Sequence, residues 1–237
     1  MSTTSASPIV LILGAGPNIG KHVSRAFIAK GYKVALTSRS SKPEDSSSAS
    51  ADQIHIASDL SDPSAVSSVF EKVKGALGLP SVVVYNAAAA TMNEPMDPLS
   101  LRVQDFARDL SINTTSAFAA AQQAALAFAQ LPASASKTFI YTGNALNTMT
   151  LPPLMSLGVG KSAMAHVIQS AVAAYKEKGF KFYYADERKE DGSPVYSNIS
   201  GEAAAEWYVE LAEGKEQGPW QQTFVKRIGY KDFQAEK

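Results

Sequence analysis

Few folds are open to a chain that carries Gly14-Ala15-Gly16-Pro17-Asn18-Ile19-Gly20 between the two segments that flank it here. Before it, Ile9-Val10-Leu11-Ile12-Leu13 is an unbroken apolar run, the pattern of a strand covered on both faces. After it, Val23, Phe27 and Ile28 recur on one side of a helix that Gly31 closes. A glycine-rich turn from a buried strand into a helix lets backbone approach a pyrophosphate. The helix N-terminus supplies unpaired N–H groups and a partial positive charge. The passage therefore reads as a dinucleotide-binding turn, with Gly14, Gly16, Pro17, Asn18, Ile19 and Gly20 against the cofactor.

The rest of the chain repeats the alternation. Strands are expected at Lys33 to Thr37, Ile54 to Ala57, Val82 to Tyr85, Lys137 to Thr142, Lys181 to Tyr184 and Thr223 to Lys226. Helices are expected from Ser61-Asp62-Pro63 onward with Val66, Val69, Phe70, Val73 and Leu77 inward, from about Ser100 to Ala129, from Gly158 to Lys178, and through Trp207, Tyr208 and Leu211. Together they predict an α/β fold: a doubly wound, parallel, seven-stranded sheet with helices on both faces. The 237 residues form one domain, with residues 1–8 as a flexible tail and Ser40 to Asp52 as a mobile loop.

Composition narrows the function. Apolar residues make up 45% and charged residues 19%, with zero formal net charge and no clustering of Lys or Arg. That profile gives no support to nucleic-acid or membrane docking, so a small-molecule substrate is expected. The absence of cysteine excludes disulfides and thiolate chemistry, and His22, His55 and His166 lack metal-ligand spacing. Without a basic, apolar leader the cytoplasm is the default address.

The end of the second strand selects the cofactor. Folds that prefer NAD place an acid there for the ribose 2′-hydroxyl. Here Thr37-Ser38-Arg39 stands instead, with Lys42 nearby, and a guanidinium can bind a 2′-phosphate bidentately. NADP is expected, with Ser38 and Arg39 as ligands.

In their order these motifs resemble the short-chain dehydrogenase/reductase family, from Ile9 to about Phe233. The resemblance implies that Asp59-Leu60 contacts adenine and that Asn86-Ala87-Ala88 packs the sheet against the cofactor. It also implies that Asn113 is the helix-kinking asparagine of the catalytic set. Lys161 matches the family's active-site lysine, which the resemblance implies holds the nicotinamide ribose, but the tyrosine expected four residues earlier is Leu157, and Asn144 stands near the position of the catalytic serine. The Pro-Gly motif after the sixth strand is replaced by Ala185-Asp186-Glu187-Arg188, the start of a charged stretch expected to be a solvated turn. Tyr196, in the following loop, is a candidate to fold over the nicotinamide, whereas Tyr141, Tyr183 and Tyr184 are expected in the core.

Leucine has no proton to give, and an asparagine can hydrogen-bond an oxygen without acting as an acid. Three readings stay open: an NADP-dependent oxidoreductase that obtains its proton elsewhere or acts on a group needing none, such as a cationic C=N; a non-catalytic NADP-binding sensor or scaffold; and a non-redox enzyme using the same pocket. The alanine-rich stretches Ala117 to Ala129 and Gly158 to Ala174 match helices that pair across the family's dimer interface, so a homodimer or homotetramer is expected.

Overall fold

The structure is a computed structural model that describes residues 7–40 and 52–233. Residues 1–6 of the expected tail and 41–51 of the Ser-rich loop, Lys42 among them, lie outside the described residues. Continuous apolar runs become strands and 3.6-residue periodicity becomes helices. In chain order these are β1 (Ile9–Leu13), α1 (Ile19–Ala29), β2 (Lys33–Ser38), β3 (Gln53–Ala57), α2 (Ala65–Ala76) and β4 (Val82–Tyr85). There follow α3 (Val103–Leu110), α4 (Ser116–Phe128), β5 (Thr138–Thr142), α5 (Met155–Tyr175), β6 (Lys181–Arg188), α6 (Gly201–Glu213), β7 (Gln221–Val225) and β8 (Gly229–Tyr230).

The sheet runs β3-β2-β1-β4-β5-β6-β7-β8. Seven strands are parallel; β8, two residues long, turns back antiparallel on β7 and adds an eighth strand to the expected seven. Strand order reverses between β1 and β4, which opens a crevice at the carboxyl ends of the strands.

Alternating side chains send each strand into both layers. Ile9, Leu11 and Leu13 pack with α2, α4 and α5, while Val10 and Ile12 pack with α1 and α6. Phe27 is fully buried in the second layer, where truncation to alanine would cost about 3–5 kcal/mol. Ile28, expected beside it, is instead 38% exposed, because it lies one step round the helix from the buried stripe of Val23 and Phe27.

Three boundaries differ from the sequence reading in ways that shape the site. Pro63 lies in the turn before α2: Asp62 accepts from Ser64 N at 2.9 Å and delays the helix to Ala65. The single helix expected from Ser100 to Ala129 is two helices joined by a π-helical turn over Ser111–Thr115. Lastly, β6 does not stop at Tyr184 but continues to Arg188, because β7 pairs with it along Tyr184–Arg188. Its other end anchors α6: buried Lys181 donates through Nζ to the carbonyls of Leu211, Ala212 and Gly214, a cation on the negative end of a helix.

Candidate active site

Two cavities open at the carboxyl ends of the strands. The first, about 630 Å³, lies over β1, β2 and β4. Gly14, Gly16, Ser38, Arg39, Asp59, Leu60, Asn86, Ala87 and Ala88 all line it, so residues far apart in the chain and expected at one ligand do converge. Gly14 turns with φ +88°, and a Cβ there would stand 2.5 Å from the backbone nitrogen of Ala87. Only glycine lets β1 and the β4 loop approach so closely. A Cβ on Gly16 would meet nothing within 4 Å, so this glycine leaves open the space beside the loop. Asn86 Nδ2 donates to Gly14 O at 2.8 Å and Ala15 N to Thr37 O at 2.7 Å, fixing the loop to both neighbouring strands.

Polar groups at the far end are arranged less simply. Arg39 is exposed on the cavity rim. The Ser38 hydroxyl bonds His55 Nε2 at 2.9 Å and donates to Ser40 O at 2.7 Å. Asp59 accepts from Ser61 N at 2.9 Å; that bond, with the nearby Arg39 charge adding, lowers its carboxyl pKa.

Within the glycine loop, Asn18 turns away from the cavity. Its Oδ1 accepts from Gly201 N at 3.0 Å and its Nδ2 donates to Ile199 O at 2.9 Å, so it ties the start of α1 to the start of α6. Pro17 is exposed at the loop tip, and Gly20 packs on Ala15. Ile19 points into the second cavity.

That second cavity, about 400 Å³, is walled mainly by apolar side chains, among them Leu146, Met149, Leu151, Leu154, Leu157 and Ile199. Asn144 lines it, but its Oδ1 already accepts from Leu146 N at 3.0 Å. The Asn144 backbone is clamped by Tyr184, whose hydroxyl donates to Asn144 O at 2.7 Å and accepts from Asn144 N at 3.1 Å. Tyr196 lines the cavity from a loop, 60% exposed and at φ +50°. Tyr141, Tyr183 and Tyr184 are buried in the core as expected.

Asn113 and Lys161 are buried and line neither cavity. The π-helical turn points buried Asn113 back at the β4 loop, where its amide donates to Ala89 O at 2.7 Å and accepts from Ala89 N at 2.9 Å. Gly160 of α5 packs on Asn113 so tightly that a Cβ would lie 2.6 Å from the asparagine's own Cβ. Lys161 is buried over the Tyr141 ring, 4.5 Å from its centroid, and donates to Thr142 O at 2.7 Å. Thr142 lines the apolar cavity; Lys161 itself lines neither cavity. Burial lowers the lysine pKa to about 7, although the charge of Asp186 pulls it upward.

The largest correction concerns Asp186-Glu187-Arg188. These residues are strand, not a solvated turn. Asp186 is only 1% exposed, lines the apolar cavity and is paired through Oδ2 with Arg188 at 2.6 Å. Glu187 lines it too, accepting from Ser200 N at 2.8 Å at the start of α6. The missed signal was present in the sequence: Asp186 and Arg188, at i and i+2, share one face if the strand runs on.

Asp109 was also missed. Fully buried, it accepts from Thr91 N at 2.6 Å, Ser156 Oγ at 2.7 Å and Arg108 Nη2 at 3.1 Å, joining the β4 loop, α3 and the first turn of α5.

This arrangement has relatives. A family profile described as enoyl-(acyl carrier protein) reductase matches residues 14–183. The short chain dehydrogenase/reductase dmxR12 of Cryptosporiopsis sp. (strain 8999) is 50% identical over 242 residues, covering 98% of this chain and 97% of that protein. The chain belongs to the short-chain dehydrogenase/reductase family. Solved structures give the same fold at low identity. A metagenomic short-chain oxidoreductase in complex with NADP has a TM-score of 0.78 at 15% identity, covering 95% of this chain and 100% of its own. ElxO with NADP bound has a TM-score of 0.77 at 17% identity, covering 92% and 96%.

The first cavity has features that suit a dinucleotide: a loop with no side chain at Gly16, a cation at the second strand's end and a wall formed by the β4 loop. The residues present fit NADP(H). Among the described residues, no helix is long and apolar enough to cross a membrane.

Proposed function

We propose that this chain is an NADP(H)-dependent oxidoreductase of small molecules whose catalytic set is reduced to Asn113, Asn144 and Lys161, with Leu157 at the position of the family's proton-donating tyrosine. The observation that carries the reading is a pair of cavities at the carboxyl ends of the strands: one lined by the glycine loop, Arg39 and the Asn86 to Ala88 segment, the other apolar and lined by Asn144 and Leu157. The NADP-bound fold relatives support the choice of cofactor.

Gly14, Gly16 and the α1 N-terminus would hold the pyrophosphate, Arg39 the 2′-phosphate, and Asp59, Leu60 and the Asn86 to Ala88 segment the adenosine and the sheet side of the nicotinamide. When bound, NADPH supplies a hydride. Asn113 fixes the Ala89 backbone at the cavity edge. Lys161 would act on the apolar cavity only through Thr142, whose carbonyl it holds. Asn144 offers its amide N–H groups to a substrate heteroatom, and Leu157 excludes water without donating a proton.

A general acid contributes about 10²–10⁴-fold, so its loss costs about 3–5 kcal/mol on substrates that must be protonated. The test is NADPH oxidation, followed at the nicotinamide absorbance, across paired carbonyl and iminium substrates. The reading predicts slow ketone reduction that Leu157→Tyr accelerates; fast ketone reduction by the unaltered protein contradicts it.

A second reading, NADP binding without catalysis, draws on one observation: Lys161 is sealed against Thr142 and lines neither cavity. Tight NADPH binding with no turnover on either substrate class would favour it.

A further inference from the structure

The apolar chamber has an ion pair in its wall, Asp186 with Arg188, that leaves one carboxylate oxygen over. Its lining includes two carboxylates, Asp186 and Glu187, and no lysine, arginine or histidine. Asp186 is buried and its two oxygens differ. Oδ2 is covered by Arg188, which donates through Nε at 2.7 Å. Oδ1 has no hydrogen-bond partner. A buried acceptor left unpaired costs about 1–3 kcal/mol, and more when charged. A cationic N–H donor brought to Oδ1 would remove that cost. The neighbouring side chains do not: Arg188 is engaged by Oδ2 and Gly192 O, and Lys161 donates to Thr142 O.

Resting on the oxidoreductase reading above, we propose that the chamber takes a compact apolar cation with its charge on a C=N group, and that Asp186 is the residue that selects it. Leu146, Leu154 and Leu157 would enclose the hydrocarbon body while Oδ1 faces the positive nitrogen. This chemistry agrees with the leucine on α5. The iminium carbon accepts hydride from the reduced nicotinamide, the C=N π pair becomes a lone pair on nitrogen, and the products are a neutral amine and NADP⁺. No proton is transferred, so no acid is required. Charge also balances: the positive charge leaves the substrate and appears on NADP⁺.

The test uses 3,4-dihydroisoquinoline in its protonated iminium form, whose N–H can donate to Oδ1, and tetralone as its neutral counterpart of similar shape. Binding is measured by calorimetry with and without NADPH, and turnover by NADPH oxidation. The proposal predicts that the cation binds about tenfold or more tightly than tetralone, a difference of about 1.4 kcal/mol, and is reduced. Asp186→Asn should erase that difference while leaving NADPH affinity within about twofold, a span of under 0.5 kcal/mol. Because Asp186→Asn leaves Arg188 unpaired, the double variant D186N/R188Q is the control, and it should also lose the preference. Equal binding of cation and ketone by the unaltered protein overturns the proposal. So does a loss of NADP⁺ affinity in Asp186→Asn that matches the loss for the cation, since the carboxylate would then serve the cofactor ring. If NADPH fails to bind while the cation is still held through Asp186, the oxidoreductase reading falls and the cation site stands.

Discussion

Replacing Lys161 with methionine should remove a pH-dependent strain from the fold. The lysine pKa falls from 10.5 to about 7 because its ammonium is buried. Between those values the unfolded chain binds a proton that the folded chain does not, so stability rises with pH. From pH 7 to pH 9.5 the gain from this group is about 3 kcal/mol. Lys181, lowered to about 8 by burial, acts in the same direction and adds about 2 kcal/mol over that range. The unaltered protein without cofactor should therefore gain about 5 kcal/mol from pH 7 to pH 9.5, and Lys161→Met only about 2 kcal/mol. Urea unfolding at constant ionic strength, followed by the fluorescence of Trp207 and Trp220, reads both slopes. Stopping at pH 9.5 keeps below the ionisation of tyrosines in the unfolded chain, which opposes the trend. The lost hydrogen bond to Thr142 O shifts both pH points equally and does not alter the slope. Identical slopes for the two proteins would refute a neutral buried lysine.

Two further outcomes follow from the same structure. For Asp109, burial alone would raise the carboxyl pKa, but hydrogen bonds from Ser156, Thr91 and Arg108 outweigh it and hold it below the ordinary value. Its contribution is thus present above the unfolded carboxyl pKa and lost as pH falls through the folded one. Asp109→Asn should cost about 2 kcal/mol or more at pH 7 and flatten the acid limb of the stability profile, and an unchanged acid limb would count against the network. On the surface, Phe118 and Leu126 of α4 are 50% and 56% exposed and Val159 of α5 is 41% exposed. We expect these faces to pair in a homodimer or homotetramer, with Phe118→Glu shifting the mass toward monomer in light scattering. A monomer before substitution would remove that expectation.

Much of this architecture was legible because β1, β4 and the glycine loop carry local signals: an apolar run, a second apolar run, and glycines where a Cβ would collide. Nine residues assigned to the cofactor from sequence line one cavity, since strand order brings the ends of β3, β2, β1 and β4 together. What escaped depended on distant partners. The π-helical turn over Ser111–Thr115 has no periodicity of its own; it exists where Asn113 reaches Ala89 and Gly160 packs behind it. Asn18 looked like a phosphate-loop residue, yet its partners, Ile199 and Gly201, lie some 180 positions away. Asp186 looked solvated because its burial is imposed by β7, a strand paired with β6 only in the fold.

NADP dependence is the most exposed part of the account and is measured directly by titrating the protein with NADPH and NADH. A charge-assisted bond to the 2′-phosphate contributes about 1.5–3 kcal/mol, so NADPH should bind about tenfold or more tightly than NADH. Arg39→Ala should abolish most of that difference and leave NADH affinity nearly unchanged. Equal affinities for the two cofactors in the unaltered protein, or a preference that survives Arg39→Ala intact, would contradict it.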